Sequence, residues 1–220
     1  MSGRGVVVVV ALLLTSTLVG LHIGMAAGFP VAADGLTLVR VPGAAPVKTC
    51  SVPPSSDTFL DEELPETPFG AEPYLAVASG PADRRALVRF DLSSCGIPAG
   101  AEVRSARLAM GLADAPAGPR TWRVQRVTSD WAAADVTWST APTVAPAATD
   151  TAAIGTIAGV PVMWDVRADV ALIVSGGATN RGWRIADVDE SAPLRDGGAF
   201  ASSEAVVAAD RPSLTLTWFD

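Results

Sequence analysis

Arg84–Leu92 reads RRALVRFDL. Ala86, Val88, Phe90 and Leu92 fall on one side of an extended chain, and Arg85, Arg89 and Asp91 on the other. Successive side chains of a strand point to opposite faces, so this period of two predicts a half-buried strand. The stretch IPAGAEV (97–103) then supplies a turn through Pro98 and Gly100. RSARLAMGLA (104–113) repeats the pattern, with Ala106, Leu108, Met110 and Leu112 on the apolar side, and ADAPAGPR (113–120) breaks the chain again. In TWRVQRVT (121–128), Trp122 and Val124 alternate with Arg123 and Gln125.

The same alternation runs to the end of the sequence. It places Val162, Trp164 and Val166 of VPVMWDV, Trp183 and Ile185 of GWRIAD, and Leu214, Leu216 and Trp218 of PSLTLTWF on inward faces. One segment departs from it. In DVRADVALIVSGG (165–177), Val166, Val170, Ile173 and Val174 have helical spacing, with Asp165 as a candidate N-cap and Gly176 or Gly177 as a stop. Short strands between Gly/Pro turns predict an all-β fold, an antiparallel sandwich of jelly-roll type with one short helix. Nothing repeats internally, and no second domain is indicated. Residues 34–54, rich in Pro, Ala and Gly, read as a linker, and residues 55–220 as the domain.

The first 33 residues read as a targeting segment. Arg4 precedes a long apolar run, and small residues cluster near Ala26, Gly28 and Ala33, as a signal peptidase requires. The run is also long enough to serve as an uncleaved membrane anchor. Either way the domain is expected outside the membrane, secreted or at the cell surface, and as a monomer. The only histidine, His22, lies in this leader. The domain therefore has no imidazole for a Ser-His-Asp or Cys-His site, a histidine base or a His-containing zinc site. The net charge of −7 argues against nucleic-acid binding, which needs a basic surface. Export places Cys50 and Cys95 in an oxidising compartment, where a pair bonds. Closing that loop stabilises by about 4 kcal/mol in the chain-entropy account.

Six motifs occur in order: DTFLDEELPETPFGAEPYLAV (57–77), RRALVRFDLSSCGIPAGAEVRSARLAM (84–110), VQRVTSDWAAADVTWSTAP (124–142), MWDVRADV (163–170), TNRGWRIAD (179–187) and FASSEAVVAADRPSLTLTW (200–218). Together the series resembles the DNRLRE domain, also grouped as carbohydrate-binding module family 96, from about Asp57 to Trp218. The resemblance implies a jelly-roll β-sandwich of secreted and surface proteins, some of which bind acidic polysaccharides such as alginate. The sequence departs from the family pattern at Arg167, where threonine is common, at Ser139, where asparagine is common, and in TNRGWRI, which has arginine where tyrosine is common.

Two readings compete for Trp131 and Trp138. Both residues cap the core, Trp131 ending a strand and Trp138 starting another, or they form a stacking face for a sugar ring. The core reading is preferred, and Phe90, Trp122, Trp164, Trp183 and Trp218 are placed in the core with them. Tyr74, the lone tyrosine, is a candidate surface contact. From Arg84 to Arg126 eight arginines face three acids, Asp91, Glu102 and Asp114, a local charge of +5. Arginine forks match carboxylates with paired hydrogen bonds, so Arg85, Arg89 and Arg123 are candidate ligands for an acidic glycan. The competing reading is a solvated strand face with cross-strand ion pairs.

No cofactor is indicated beyond structural calcium. Asp57 and Asp61, with Glu62 and Glu63, form one candidate cluster, and Asp187, Asp189 and Glu190 another; neither has the spacing of a defined calcium loop. The function expected is a non-catalytic polysaccharide-binding module. The alternatives are a structural or adhesive surface domain and, third, a glycoside hydrolase using a carboxylate pair.

Overall fold

A computed structural model describes residues 46–219. The targeting segment expected at 1–33 and the first part of the expected linker lie outside the described residues. The strands are β1 (Val47–Val52), β2 (Pro54–Asp61), β3 (Tyr74–Ser79), β4 (Arg84–Phe90), β5 (Glu102–Asp114), β6 (Arg120–Arg126), β7 (Asp150–Ile154), β8 (Pro161–Asp165), β9 (Trp183–Asp187), β10 (Asp196–Ala201) and β11 (Ser213–Phe219). One α-helix, α1 (Arg167–Val174), interrupts them. Neighbours pair antiparallel in the order β1-β11-β5-β10-β3-β4-β9-β6-β7, with β2 added on β4 and β8 on β5.

Part of the stretch expected to be a linker is strand. Val47–Val52 lie along Leu214–Phe219, and Cys50 of that strand is bonded to Cys95 with a Cα–Cα distance of 5.7 Å. The Pro and Ala content around β1 conceals a strand because β1 is a sheet edge with most of its side chains exposed, so no apolar period marks it.

The inward faces come together in one core. Val88 and Phe90 (β4), Leu108 and Met110 (β5), Trp122 and Val124 (β6), Trp164 (β8), Trp183 and Ile185 (β9), and Leu216 and Trp218 (β11) are all buried in it. Leu92 lies past the end of β4 and is only partly buried against this cluster. The Trp122 and Trp164 rings stand nearly perpendicular to Phe200, with centroids 5.2 and 5.8 Å away, a favourable edge-to-face meeting. Each buried indole N–H needs an acceptor. Trp122 donates to Asp187 Oδ2 (3.1 Å), Trp164 to the Trp122 carbonyl (3.3 Å) and Trp183 to Asp169 Oδ2 (2.9 Å). Trp218 Nε1 alone among them has none. Truncating any one of these rings to alanine costs about 3–5 kcal/mol.

The helix forms where the spacing predicts it. Its N-cap is Val166, one residue after the expected Asp165, whose Oδ1 instead accepts from the Arg167 amide at 2.9 Å. Gly176, at φ 77°, ends the turn in the left-handed region that favours glycine.

Trp131 and Trp138 correct the sequence reading. Neither begins nor ends a strand: β6 stops at Arg126, and both indoles sit in the irregular segment that follows. That segment folds back over the outer side of the sheet. There Trp131 and Val136 bury Leu60 of β2, Leu87 of β4 and Val127 in a second, smaller cluster, with Trp138 half-buried beside it. Leu87 is fully buried, so both faces of β4 are covered at this point. Gly70 seats the segment against the preceding loop, since a Cβ there would lie 2.3 Å from the Ala133 carbonyl oxygen.

Candidate functional site

The outer side of β4, β9 and β6 carries the basic residues, for the same reason that their inner side carries the tryptophans. Alternation turns Arg85 and Arg89 away from the core on β4, Arg184 on β9, and Arg123 and Gln125 on β6. Register then aligns them: Leu87 lies opposite Arg184, Arg184 opposite Gln125, and Arg123 opposite Ala186.

The segment after β9 brings Glu190 onto this face. One of its oxygens pairs with Arg85 Nε and the other with Arg123 Nη2. Arg184 donates to Gln125 Oε1 at 2.6 Å, and Gln125 donates in turn to the Ala145 carbonyl at 3.0 Å. Two guanidiniums therefore share one carboxylate, and a third, bonded to Gln125, feels the charges of all three groups, a surplus of two positive charges. Burial, and then the Arg85 charge, pushes the Arg184 pKa down to about 10. The buried Nε groups of Arg123 and Arg184 have no hydrogen-bond partner. Such a cluster favours an incoming anion. The Arg85 guanidinium lies 4.1 Å from the centre of the half-buried Trp138 ring, an aromatic wall at the side of the cluster. Arg89 stands apart, 5.1 Å over the ring of Trp131.

Tyr74 lies elsewhere. It opens a groove of about 660 Å³ over β3, β10 and the end of β5. The floor is Ala76, Ala78, Gly197 and Ala199, with Gly197 paired to Ala78 and Ala199 to Ala76. Gly197 is fixed by packing, since a Cβ there would sit 2.3 Å from the Val77 carbonyl oxygen. Tyr74 is 40 % exposed, and its ring stacks on buried Phe59 at 5.4 Å, which stacks on Phe69 at 4.3 Å. Arg84, Arg195, Asp114 and Asp196 also line the groove. Arg84 pairs with Asp61 and Arg195 with Glu63, each at 2.8 Å, while Asp196 accepts from the amides of Ala117 and Gly118.

The structure thus separates the candidate ligand residues Arg85, Arg89, Arg123 and Tyr74. Arg85 and Arg123 share one carboxylate, Arg89 covers an indole, and Tyr74 belongs to another surface. Sequence reasoning passed over Arg184 and Gln125, although their alternation with Trp183 and Val124 pointed to the same face. It also passed over Arg195, whose place depends on a loop.

The calcium clusters do not assemble. Asp57 and Asp61 lie four residues apart on β2, about 13 Å along the strand, too far to ligate one ion. Asp61 accepts from Arg84 and from the Glu63 amide. Asp187 accepts from Arg120 and Trp122, and Glu190 holds its two arginines. Among the described residues no group of three or more His, Cys, Asp or Glu side chains is placed to hold a metal ion.

Asp57 is buried and accepts from the Ser203 amide and hydroxyl at 2.8 and 2.9 Å. Burial is the main cause that raises its pKa to about 6, with the Glu204 charge adding to it. Glu204 Oε2 lies 2.8 Å from the same hydroxyl. The two carboxyls thus share one hydroxyl, with Asp57 buried beneath it. Among the described residues no helix is long and apolar enough to cross a membrane.

The family model for carbohydrate-binding module family 96 matches residues 48–218. No curated protein matches the chain.

Proposed function

The chain belongs to carbohydrate-binding module family 96, and from that premise we propose that it is a non-catalytic, secreted or cell-surface jelly-roll module that holds an acidic polysaccharide on its arginine face. The observation that carries this reading is the pairing of Arg85 and Arg123 with the single carboxylate of Glu190, beside an Arg184 guanidinium that has only the neutral Gln125 as its side-chain partner. A uronate carboxylate resembles the Glu190 group already held there. It can take the paired donors of a guanidinium that Glu190 leaves uncompensated. Trp138 gives the pyranose ring an apolar surface to lie against. The jelly-roll arrangement is supported by the shared core beneath β4, β6 and β9 on one side and β5, β8 and β11 on the other. Export is supported by the leader reading of residues 1–33 and by the Cys50–Cys95 bond, with membrane anchoring through that leader as the alternative.

Calorimetry with alginate and pectate tests the proposal at about 0.05 M and about 0.5 M salt, since screening weakens exposed charge pairs over this range. The expected result is binding at low salt, several-fold weaker at high salt, and about tenfold weaker in Arg184→Gln. Absence of binding at low salt overturns it. One observation favours a second reading, a structural surface domain: Glu190 already engages Arg85 and Arg123, as it would in a self-contained ion-pair network. Retention at the cell surface without binding to any glycan selects that reading. Release of reducing ends from a polysaccharide, lost on changing one acid, selects a hydrolase instead.

A further inference from the structure

We infer that the groove over β3 and β10 is a second binding site, built for a single strand of an uncharged polysaccharide and independent of the arginine face. The inference rests on the reading that this chain binds carbohydrate. It does not require the arginine face to be an acidic-glycan site.

Tyr74 is the first reason. It is the only tyrosine in the chain, and it lines the groove while remaining 40 % exposed. Phe59 and Phe69 stack behind it and hold its plane, so little rotamer freedom is left to lose on binding. A fixed aromatic face in contact with water suits the C–H face of a pyranose.

The floor is the second reason. Ala76, Ala78, Gly197 and Ala199 carry nothing beyond a Cβ, so a ring can settle close to the backbone of two paired strands. The volume of about 660 Å³ falls within the range of sites that take small ligands.

Charge selects the class of ligand. The groove is lined by two arginines and two aspartates. Both arginines are held by other acids, and Asp196 by two backbone amides. No surplus field favours an anion here, in contrast to the arginine face. The polar groups at the rim suit hydroxyls, which donate and accept at once.

The test is heteronuclear NMR titration of the purified protein with cellohexaose, mannohexaose, xylohexaose and laminarihexaose, each repeated with Tyr74→Ala, Tyr74→Phe and Arg184→Gln. At least one hexasaccharide is expected to bind and to shift amides of β3 and β10. Affinity is expected to fall about tenfold in Tyr74→Ala and to stay within about twofold in Tyr74→Phe, which keeps the ring. Raised salt and Arg184→Gln are expected to leave it unchanged. An unaltered melting temperature in Tyr74→Ala shows that the fold is kept. The inference is overturned if none of the four binds, if Tyr74→Ala binds like the wild type, or if the shifted amides lie around Arg85 and Arg123. Binding of a neutral chain without alginate binding removes only the acidic reading, and the reverse result removes only this one.

Discussion

The arginine face and the Tyr74 groove occupy the same sheet and differ in what they leave unsatisfied. On the face, two guanidiniums share one carboxylate, a third has only a neutral amide, and two buried Nε groups lack partners. In the groove every arginine is paired, and what stands open is an aromatic surface above a floor of small side chains. One region offers charge and the other offers shape. The count of charges along the chain does not predict which is which. Six of the eight arginines between Arg84 and Arg126 are in ion pairs, and only Arg104 finds its acid, Glu102, inside that stretch. The others are met by Asp61, Asp169, Asp187 and Glu190, which other strands and loops bring to them.

The sharpest way to break this comparison is Glu190→Gln. It leaves Arg85, Arg123 and Arg184 facing one another, and the loss of a largely buried partner is expected to lower stability by about 2–4 kcal/mol. Chemical denaturation measures the loss. Sulfate, which can take the place of the missing carboxylate, is expected to restore stability far more than chloride does. Equal effects of the two salts would show that the face has no appetite for an anion.

Asp57 probes the groove side, because Ser202 and Ser203 tie the end of β10 to Glu72 and Asp57 just beside Tyr74. The Ser203 hydroxyl has one proton and two carboxyl neighbours, so a further proton on Asp57 completes the set. Its folded pKa of about 6 lies above the ordinary 3.8. The folded state therefore binds the proton more tightly than the unfolded state. Stability from this group is full below pH 3.8 and is lost as pH rises through 6, by about 2–3 kcal/mol. Asp57→Asn supplies an amide donor in place of the proton. It is expected to raise stability at pH 7 and to flatten this slope between pH 4 and pH 7, as thermal unfolding across that range would reveal. An unchanged slope would assign the pH dependence to other groups.

The smallest effect is expected from Trp138→Ala. Trp138 is half-buried and contributes one cation–π contact, so about 1 kcal/mol is lost. Binding of an acidic polymer is expected to weaken a few-fold, with neutral hexasaccharides unaffected. Weakening of both would join the two regions into one site.

Much of the fold was legible before any coordinates. RRALVRFDL alternates because β4 has the core beneath it, and Trp122, Trp164, Trp183 and Trp218 are buried where their period placed them. The helix stands at Arg167–Val174, and the two cysteines are joined. Less was legible where one period serves two surroundings. Leu87 falls on the polar side of its strand and is fully buried, because the Trp131 segment folds onto it. The same fold-back hid the place of Trp131 and Trp138. β1 carries no apolar alternation to betray it, since it is an edge.

The sequence by itself determined which side of each strand faces inward, and with it the tryptophan core, the helix at Arg167–Val174 and the cysteine pair. The first three follow from periods and contacts within a few residues, and the last from there being only two cysteines to pair. Only the tertiary structure decided which arginines keep a free charge and that Tyr74 opens a separate groove. Ion pairs and grooves form between strands far apart in the chain. Their partners are set by register and by loops such as that of Glu190, and no local period encodes either.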